Sequence, residues 1–236
     1  MEQTQFTVSI VIPTINEEDG IGLTLSELPF ETLKNMGVGY EVIVVDGGSI
    51  DKTREIAERF GAKIIHEPRR GYGRAYKTGF DASNGNILVT FDGDHTYPPF
   101  VVPKLIETIV KENLDFITTN RFAKLEQGAM NPIHRLGNWI LNTLVNLLFS
   151  VRLSDSQSGM WVIKKDVLRR IFPSSNDMAF SQEIKIRAFR SCKSTEIPIL
   201  YRRRIGNPKI RTILDGFRNL LNLFRLRFEN ACVGEA

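Results

Sequence analysis

The sequence predicts an α/β fold, a doubly wound and mostly parallel sheet flanked by helices. Three observations predict it. Short, often β-branched apolar runs recur through the first half of the chain. Segments with helical periodicity separate them. Polar or acidic residues stand where several of the apolar runs end. Near-continuous apolar runs suit strands covered on both faces, as in parallel sheets. Their alternation with helices gives a βαβα series. Ligands of such sheets bind at the carboxyl ends of the strands.

The elements follow in order. VSIVIP (8–13) opens the series, and a helix-like segment runs from 17 to 28. EVIVVD (41–46) is next, then a helix over 52–60 with Ile56, Ala57 and Phe60 on one face and Ser49 as its cap. AKIIHE (62–67), a helix over 72–82, ILVTFD (87–92), a helix over 99–111 and FITTN (116–120) complete the first half. The second half predicts a helix over 132–151, with Ile140, Leu144, Leu147 and Val151 on one face and Asn138, Asn142 and Asn146 on another. WVIKKD (161–166) and EIPILYRR (196–203) read as strands. The clearest helical pattern spans 210–228. Ile213, Leu214, Phe217, Leu220, Leu221, Phe224 and Phe228 share one face, and Arg211, Asp215, Arg218, Asn222 and Arg225 the other.

Composition narrows the function classes. The chain has 236 residues, 42% hydrophobic and 25% charged, which is enough for an ordinary core. Its two cysteines, Cys192 and Cys232, make no metal or redox spacing and suit a reducing compartment. The first residues lack the basic and apolar regions of a secretory leader. No apolar run reaches the ~18 residues of a spanning helix. Residues 1–186 hold 20 basic against 23 acidic side chains, whereas 187–236 hold 11 against 4. The C-terminal excess predicts an anionic partner there. No nucleic-acid reader motif accompanies it, so nucleic acid is not an expected partner.

The chemistry concentrates at strand exits. Asp92-Gly93-Asp94 sets two carboxylates around a flexible residue. Like charges so close favour a hard divalent cation, which takes one or two carboxylates plus phosphate oxygens of a substrate. Asn16-Glu17, Asp46 and Glu67 stand at the ends of the first three runs. Arg69-Arg70-Gly71-Tyr72-Gly73-Arg74 matches neither a dinucleotide fingerprint nor a P-loop. Gly73 either lets the backbone approach a ligand or serves a helix start.

Taken together, Val11–Glu18, Val44–Thr53 and Asp92-Gly93-Asp94 resemble the signature of glycosyltransferase family 2, which has the GT-A fold. The resemblance implies nucleotide contacts at Pro13, Thr14, Asn16, Glu17 and Asp46. It implies a divalent metal, Mn²⁺ or Mg²⁺, at Asp92 and Asp94. Asp155–Trp161, Glu196-Ile-Pro-Ile, Tyr201–Lys209 and Asp215-Gly216 resemble its polyprenyl-phosphate branch, the dolichyl-phosphate hexosyltransferases. That branch transfers a hexose from a nucleotide-sugar to a lipid phosphate with inversion. Arg121 and Arg135 fall where it has phosphate-binding arginines, and Lys209 matches a lysine of its C-terminal motif. The branch usually has Gln where Thr96 stands, so Thr96, His95 or water completes the metal shell.

Transfer to a phosphate needs no base, because a phosphomonoester is mostly dianionic at pH 7. The protein must instead supply cations, and Arg121, Arg135, Arg204 and Lys209 are the candidates. Asp155 takes the place of a base in hydroxyl-using relatives; here Asp155 and Gln157 are expected to orient the sugar or the acceptor loop. Two alternatives stand beside this reading: a family 2 enzyme acting on a saccharide hydroxyl, and a non-catalytic nucleotide-sugar or membrane-surface protein. The expected organisation is a catalytic domain over 1–209, with a nucleotide-sugar and metal half (1–122) and an acceptor half (123–209), followed by a basic amphipathic helix over 210–236. Amphipathic helices on the acceptor side predict a peripheral protein on the cytoplasmic face of a membrane.

Overall fold

The structure, a computed structural model, describes residues 6–207 and 212–233, with side chains in the last helix described from 216 to 228. Seven strands form one sheet: β1 (Thr7–Thr14), β2 (Gly39–Asp46), β3 (Lys63–His66), β4 (Ile87–Thr90), β5 (Phe116–Leu125), β6 (Trp161–Lys164) and β7 (Ser194–Tyr201). Their spatial order is β3-β2-β1-β4-β6-β5-β7. All neighbours pair in parallel except β6, which runs antiparallel to both β4 and β5. The sheet is thus mixed and mostly parallel, as the apolar runs predict.

Nine helices are described: α1 (Glu18–Ser26), α2 (Phe30–Asn35), α3 (Thr53–Arg59), α4 (Tyr72–Asp81), α5 (Val102–Lys111), α6 (Pro132–Phe149), α7 (Lys165–Ile171), α8 (Ala179–Ser191) and α9 (Thr212–Val233). A short 3-10 turn over Pro99–Val101 leads into α5. Alternate residues of β1 explain the two layers. Val8, Ile10 and Ile12 join Ile21, Leu25, Leu105 and Ile109 in one core. Val11 joins Ile43, Val45, Tyr76, Trp161 and Phe180 in the other. A strand covered on both faces has no polar side to show, which is why its sequence does not alternate.

The structure differs from the sequence reading in three respects. Residues 165 and 166, read as strand, begin α7. The helices α2 and α8 carry weak patterns; α8 buries Gln182, Glu183 and Lys185 along with its apolar residues, which hides its periodicity. The third difference is the face that α6 buries. Leu141, Val145 and Phe149 pack inward, while Ile140 and Leu147 of the expected apolar face are 43% and 74% exposed. Asn142 and Asn146 turn inward, both donating to the Leu153 carbonyl at 2.8 Å. Asn131 caps this helix by accepting from the His134 amide, and Ser150, in the left-handed region at φ +53°, ends it.

Candidate active site

The carboxyl ends of β1, β2, β3 and β4 open into a cavity of about 340 Å³. Pro13, Thr14 and Glu17 line it from the end of β1 and the following loop, and Glu67 and Arg69 from beyond β3. Asp92 and Asp94 line it from beyond β4, and Arg204 from the loop after β7. A wider open cleft of about 1120 Å³ lies at the opposite strand ends, beside Asn86 and Lys164, and holds none of these carboxylates.

The turn that carries the paired acids is tightly wedged. A Cβ on Gly93 would lie 2.9 Å from Thr14 Cγ2, so glycine is needed where the β1 loop crosses. A Cβ on Gly159 would lie 2.9 Å from Asp92 Oδ2, which fixes how closely the 155–159 loop approaches that carboxylate. Tyr72 donates its hydroxyl to Asp92 Oδ1 at 3.0 Å. Burial and the neighbouring Asp94 push the Asp92 carboxyl up to about 7, against that hydrogen bond. Asp94 is 3% exposed. Its Oδ1 accepts from the Thr96 amide at 3.1 Å and from Thr96 Oγ1 at 2.6 Å, and its Oδ2 accepts from Arg204 Nη1. Arg204 also donates to Glu17 Oε1, so one guanidinium bridges the first and fourth strand exits.

This donor set fits a divalent ion carried by a diphosphate. Two hard carboxylates face one cavity, and burial and Asp94 raise the cost of ionising Asp92, which a cation relieves. Among the described residues no three acidic, histidine or cysteine side chains converge. The two candidates for a third protein ligand are engaged elsewhere. The His95 ring, on a residue at φ +65°, meets Glu27 and Arg202 at 2.9 Å each. Thr96 spends its hydroxyl on Asp94.

The other residues expected on the nucleotide side divide. Asn16, at φ +52°, accepts from the Ile50 amide at 2.9 Å and donates its own amide to Ser49 Oγ, also at 2.9 Å. It therefore ties the β1 loop to the loop after β2. Ser49 is spent on this bond and does not cap α3. Asp46 is fully buried and accepts from the amides of Gly48 and Ser49, with His66 Nδ1 at 3.7 Å. It builds the turn that shapes the cavity wall. Gly73 does not line the cavity; a Cβ there would lie 2.5 Å from Phe180 Cβ, so the glycine serves helix packing. Glu67 was visible only as an acidic strand exit. Arg69 binds it through Nε and Nη2 at 2.7 Å each, and Thr78 donates to it at 2.5 Å. These bonds hold its carboxyl down to about 2.

A second cavity of about 180 Å³ adjoins the first, and Met178 lines both. Arg121, 7% exposed, faces it. Its Nε and Nη2 bind Asp155 at 2.7 and 2.8 Å, and its amide donates to the same carboxylate at 3.1 Å. Burial pushes the Asp155 carboxyl up, but the charge and hydrogen bonds of Arg121 prevail and hold it below the ordinary value. The 151–159 loop is fastened from several sides. Glu196 accepts from the amides of Ser154 and Asp155, and Asn142 accepts from the Ser156 amide at 3.0 Å. The Gln157 amide donates to Asp155 Oδ1 at 3.1 Å. Arg135 is exposed on α6 and lines neither cavity. Pro208, Lys209 and Arg211 lie outside the described residues, as do the side chains of Ile213, Leu214, Asp215 and Cys232.

Beneath this loop Lys185 is fully buried, and among the described residues its Nζ donates only to the Ser181 carbonyl and hydroxyl, at 2.8 and 2.7 Å. Burial pulls its pKa down to about 7; Asp155 opposes the shift and Arg121 adds to it. Between pH 7 and about 10 the unfolded chain then holds a proton that the folded chain lacks, so stability rises with pH. Lys185→Met is expected to remove that rise. Thermal melts of both proteins from pH 7 to 9.5 check it: the wild type should gain on the variant as pH increases, and parallel curves would contradict the assignment.

Comparison with known proteins fits this geometry. Residues 9–172 match the family described as Glycosyl transferase family 2. The chain is 33% identical over 217 residues to the low-salt glycan biosynthesis hexosyltransferase Agl6 of Haloferax volcanii, covering 91% of this chain and 52% of that protein. It thus spans about half the length of that relative. It is 32% identical over 210 residues to a dolichyl-phosphate hexose transferase of the same organism, covering 89% of each. Among solved structures it resembles glucosyl-3-phosphoglycerate synthase from Mycobacterium tuberculosis in complex with Mn²⁺, UDP and glucosyl-3-phosphoglycerate. The TM-score is 0.74 at 22% identity, covering 94% of this chain and 80% of that one. That likeness carries the GT-A fold.

Proposed function

The chain belongs to glycosyl transferase family 2, and from that premise we propose that it transfers a hexose, with inversion, from a nucleotide-sugar to a polyprenyl phosphate such as dolichyl phosphate. The donors that fit are GDP-mannose, UDP-glucose and UDP-N-acetylglucosamine. One observation carries the choice of acceptor. Asp155, the acid beside the acceptor cavity, is committed to Arg121 through both carboxylate oxygens. A carboxylate so held, with its pKa depressed, is a poor base. An acceptor that is already an anion needs none, and a phosphomonoester is such an acceptor.

In this reading Asp92 and Asp94 hold Mn²⁺ or Mg²⁺ on the donor diphosphate, and when bound the ion stabilises the charge of the leaving group. Pro13, Thr14, Asn16, Glu17 and the Asp46 turn shape the nucleotide side. Arg204 keeps Asp94 and Glu17 neutralised until the donor arrives, then is free to face phosphate oxygens. Arg121 gives the acceptor cavity its positive charge, with Arg135 and Lys209 as further candidates for acceptor phosphate. A phosphate oxygen of the acceptor attacks the anomeric carbon, and the nucleoside diphosphate departs with the electrons of the broken bond. The test is transfer from each of the three donors to a short polyprenyl phosphate, with Mn²⁺ or Mg²⁺ and with EDTA. One donor is expected to give a lipid-phosphate hexose, with at least a ~100-fold loss under chelation. Transfer to a free saccharide with none to the lipid phosphate would favour the hydroxyl-using alternative.

The outer faces of α6 and α9 support a membrane surface as the place where this acceptor is met. Leu141, Val145, Leu223 and Leu226 belong to one buried cluster between the two helices. Outward, Ile133, Leu136, Trp139 and Leu147 of α6 and Phe217, Leu221, Phe224 and Phe228 of α9 are all more than half exposed except Phe224. Arg218, Arg225 and Arg227 stand among them, as interfacial helices require on anionic lipid. No helix among the described residues is long and apolar enough to cross a membrane. The location proposed for this part of the protein is a membrane surface, on its cytoplasmic face. Leu136→Glu with Leu221→Glu is expected to abolish flotation with anionic liposomes and to spare the melting temperature; undiminished flotation would reject this surface.

A further inference from the structure

The acceptor-side cavity contains a polar atom that the reaction as proposed does not use. Asn219 projects into it from α9 and is 7% exposed. Its Nδ2 donates to Gln157 Oε1 at 3.2 Å. Its Oδ1 is buried and has no partner among the described residues. A buried carbonyl oxygen without a donor is costly, so one on a side chain that lines a cavity marks where something binds.

The surroundings restrict what that is. Gln157 is held at several points. Its backbone amide donates to Asp155 at 3.1 Å, its Nε2 donates to Ser156 Oγ at 3.2 Å, and Asn219 donates to its carbonyl. The amide pair therefore presents a fixed edge. The cavity also adjoins the one holding Asp92 and Asp94, since Met178 lines both. A group attached to a diphosphate over those carboxylates would reach this boundary.

An amide oxygen needs an O–H or N–H donor. Of the components the proposed reaction brings together, the acceptor phosphate is an anion and its isoprenoid tail has no donor. The base and ribose lie at the far end of the diphosphate. The hexose alone carries hydroxyls at the boundary between the cavities.

We propose that Asn219 reads the transferred sugar: its Oδ1 accepts a hydroxyl of the hexose while its Nδ2 holds Gln157 in place. This inference rests on the hexosyl transfer proposed above. It also brings α9, which lies beyond the matched residues 9–172, into the substrate-binding wall.

The experiment separates sugar from nucleotide. Binding of UDP-glucose against UDP, and of GDP-mannose against GDP, is measured calorimetrically with Mn²⁺. Asn219→Ala should weaken the favoured nucleotide-sugar roughly tenfold, as loss of one hydrogen bond implies, and leave its nucleoside diphosphate within about twofold. Asn219→Asp conserves shape and the accepting oxygen but not the donor to Gln157, so its loss should be smaller. It is the variant to use if the alanine protein melts early. In transfer assays, Asn219→Ala and Gln157→Ala should cost less together than the sum of their separate losses, because they act through one contact. Equal weakening of sugar and diphosphate, no weakening of either, or additive losses would each overturn the role of Asn219 alone. Failure of the wild type to bind either diphosphate would overturn the proposed function itself, and this inference with it.

Discussion

Asp92→Asn is expected to lower hexosyl transfer by at least ~10³-fold and, in the same protein under chelation, to raise the melting temperature. The loss follows from removing one of the two carboxylates that face the donor cavity. An ion stabilising a leaving diphosphate takes several kcal/mol off the barrier, which converts to about three powers of ten. The gain follows from the same geometry without the ion. Burial and Asp94 both oppose a charge on Asp92, and Tyr72 offers it a single hydrogen bond. An amide keeps the shape and can still accept from Tyr72, but brings no charge beside Asp94. The check is a pair of measurements: initial rates at saturating Mn²⁺ or Mg²⁺, and melts in EDTA. A variant retaining a tenth of the wild-type rate, or melting lower than wild type when chelated, would show that these carboxylates are not a metal clamp.

Arg121→Met is expected to unfold the protein at a temperature lower by roughly 10 °C. Asp155 is 1% exposed, and Arg121 is its only bidentate partner among the described residues. Removing the cation leaves a buried carboxylate uncompensated, which costs about 3–5 kcal/mol. In a chain of this size each kcal/mol moves the midpoint by about 2–4 °C. Replacing both partners, as Arg121→Met with Asp155→Leu, should restore most of the lost stability and none of the transfer. That pattern separates a buried pair from two unrelated residues. Asp155→Asn should lower turnover while leaving the shape of the pH–rate profile unchanged. Loss of an alkaline-rising limb in that variant would instead make Asp155 a base.

Much of this arrangement was legible in the sequence because it is local. Each strand of the first half announces itself as an apolar run, and the polar residues at its end lie where the sheet puts ligands. Asp92 and Asp94, two residues apart, needed no tertiary information to be paired. What could not be read is what depends on distant convergence. Glu17 and Arg204 are 187 residues apart and meet through one guanidinium. Arg121 and Asp155 were both visible, but their pairing through the Arg121 amide, Nε and Nη2 across 34 residues was not. The α6 helix shows a different limit. Periodicity says that two faces differ, not which one packs. Asn142 and Asn146 are inward because the 151–156 loop has backbone groups to satisfy, a need that hydropathy does not record. His95 sits beside a metal motif in sequence, yet its left-handed backbone directs the ring to Glu27 and Arg202.

The reversed strand in the middle of the sheet bears on how the chain is made. The strand next to β4 on one side is β1, already synthesised; on the other side it is β6, and Thr90 meets Trp161 across 71 residues. The intervening β5 does not pair with β4 and joins the sheet through β6. On a ribosome adding ~5–20 residues per second, one apolar edge therefore waits about 4–14 s for its neighbour. Ile87, Leu88 and Val89 are the residues left uncovered in that interval, and theirs is the strand that leads into Asp92 and Asp94. Growth temperature and chaperone supply should consequently affect the yield of this protein more than its final stability would suggest.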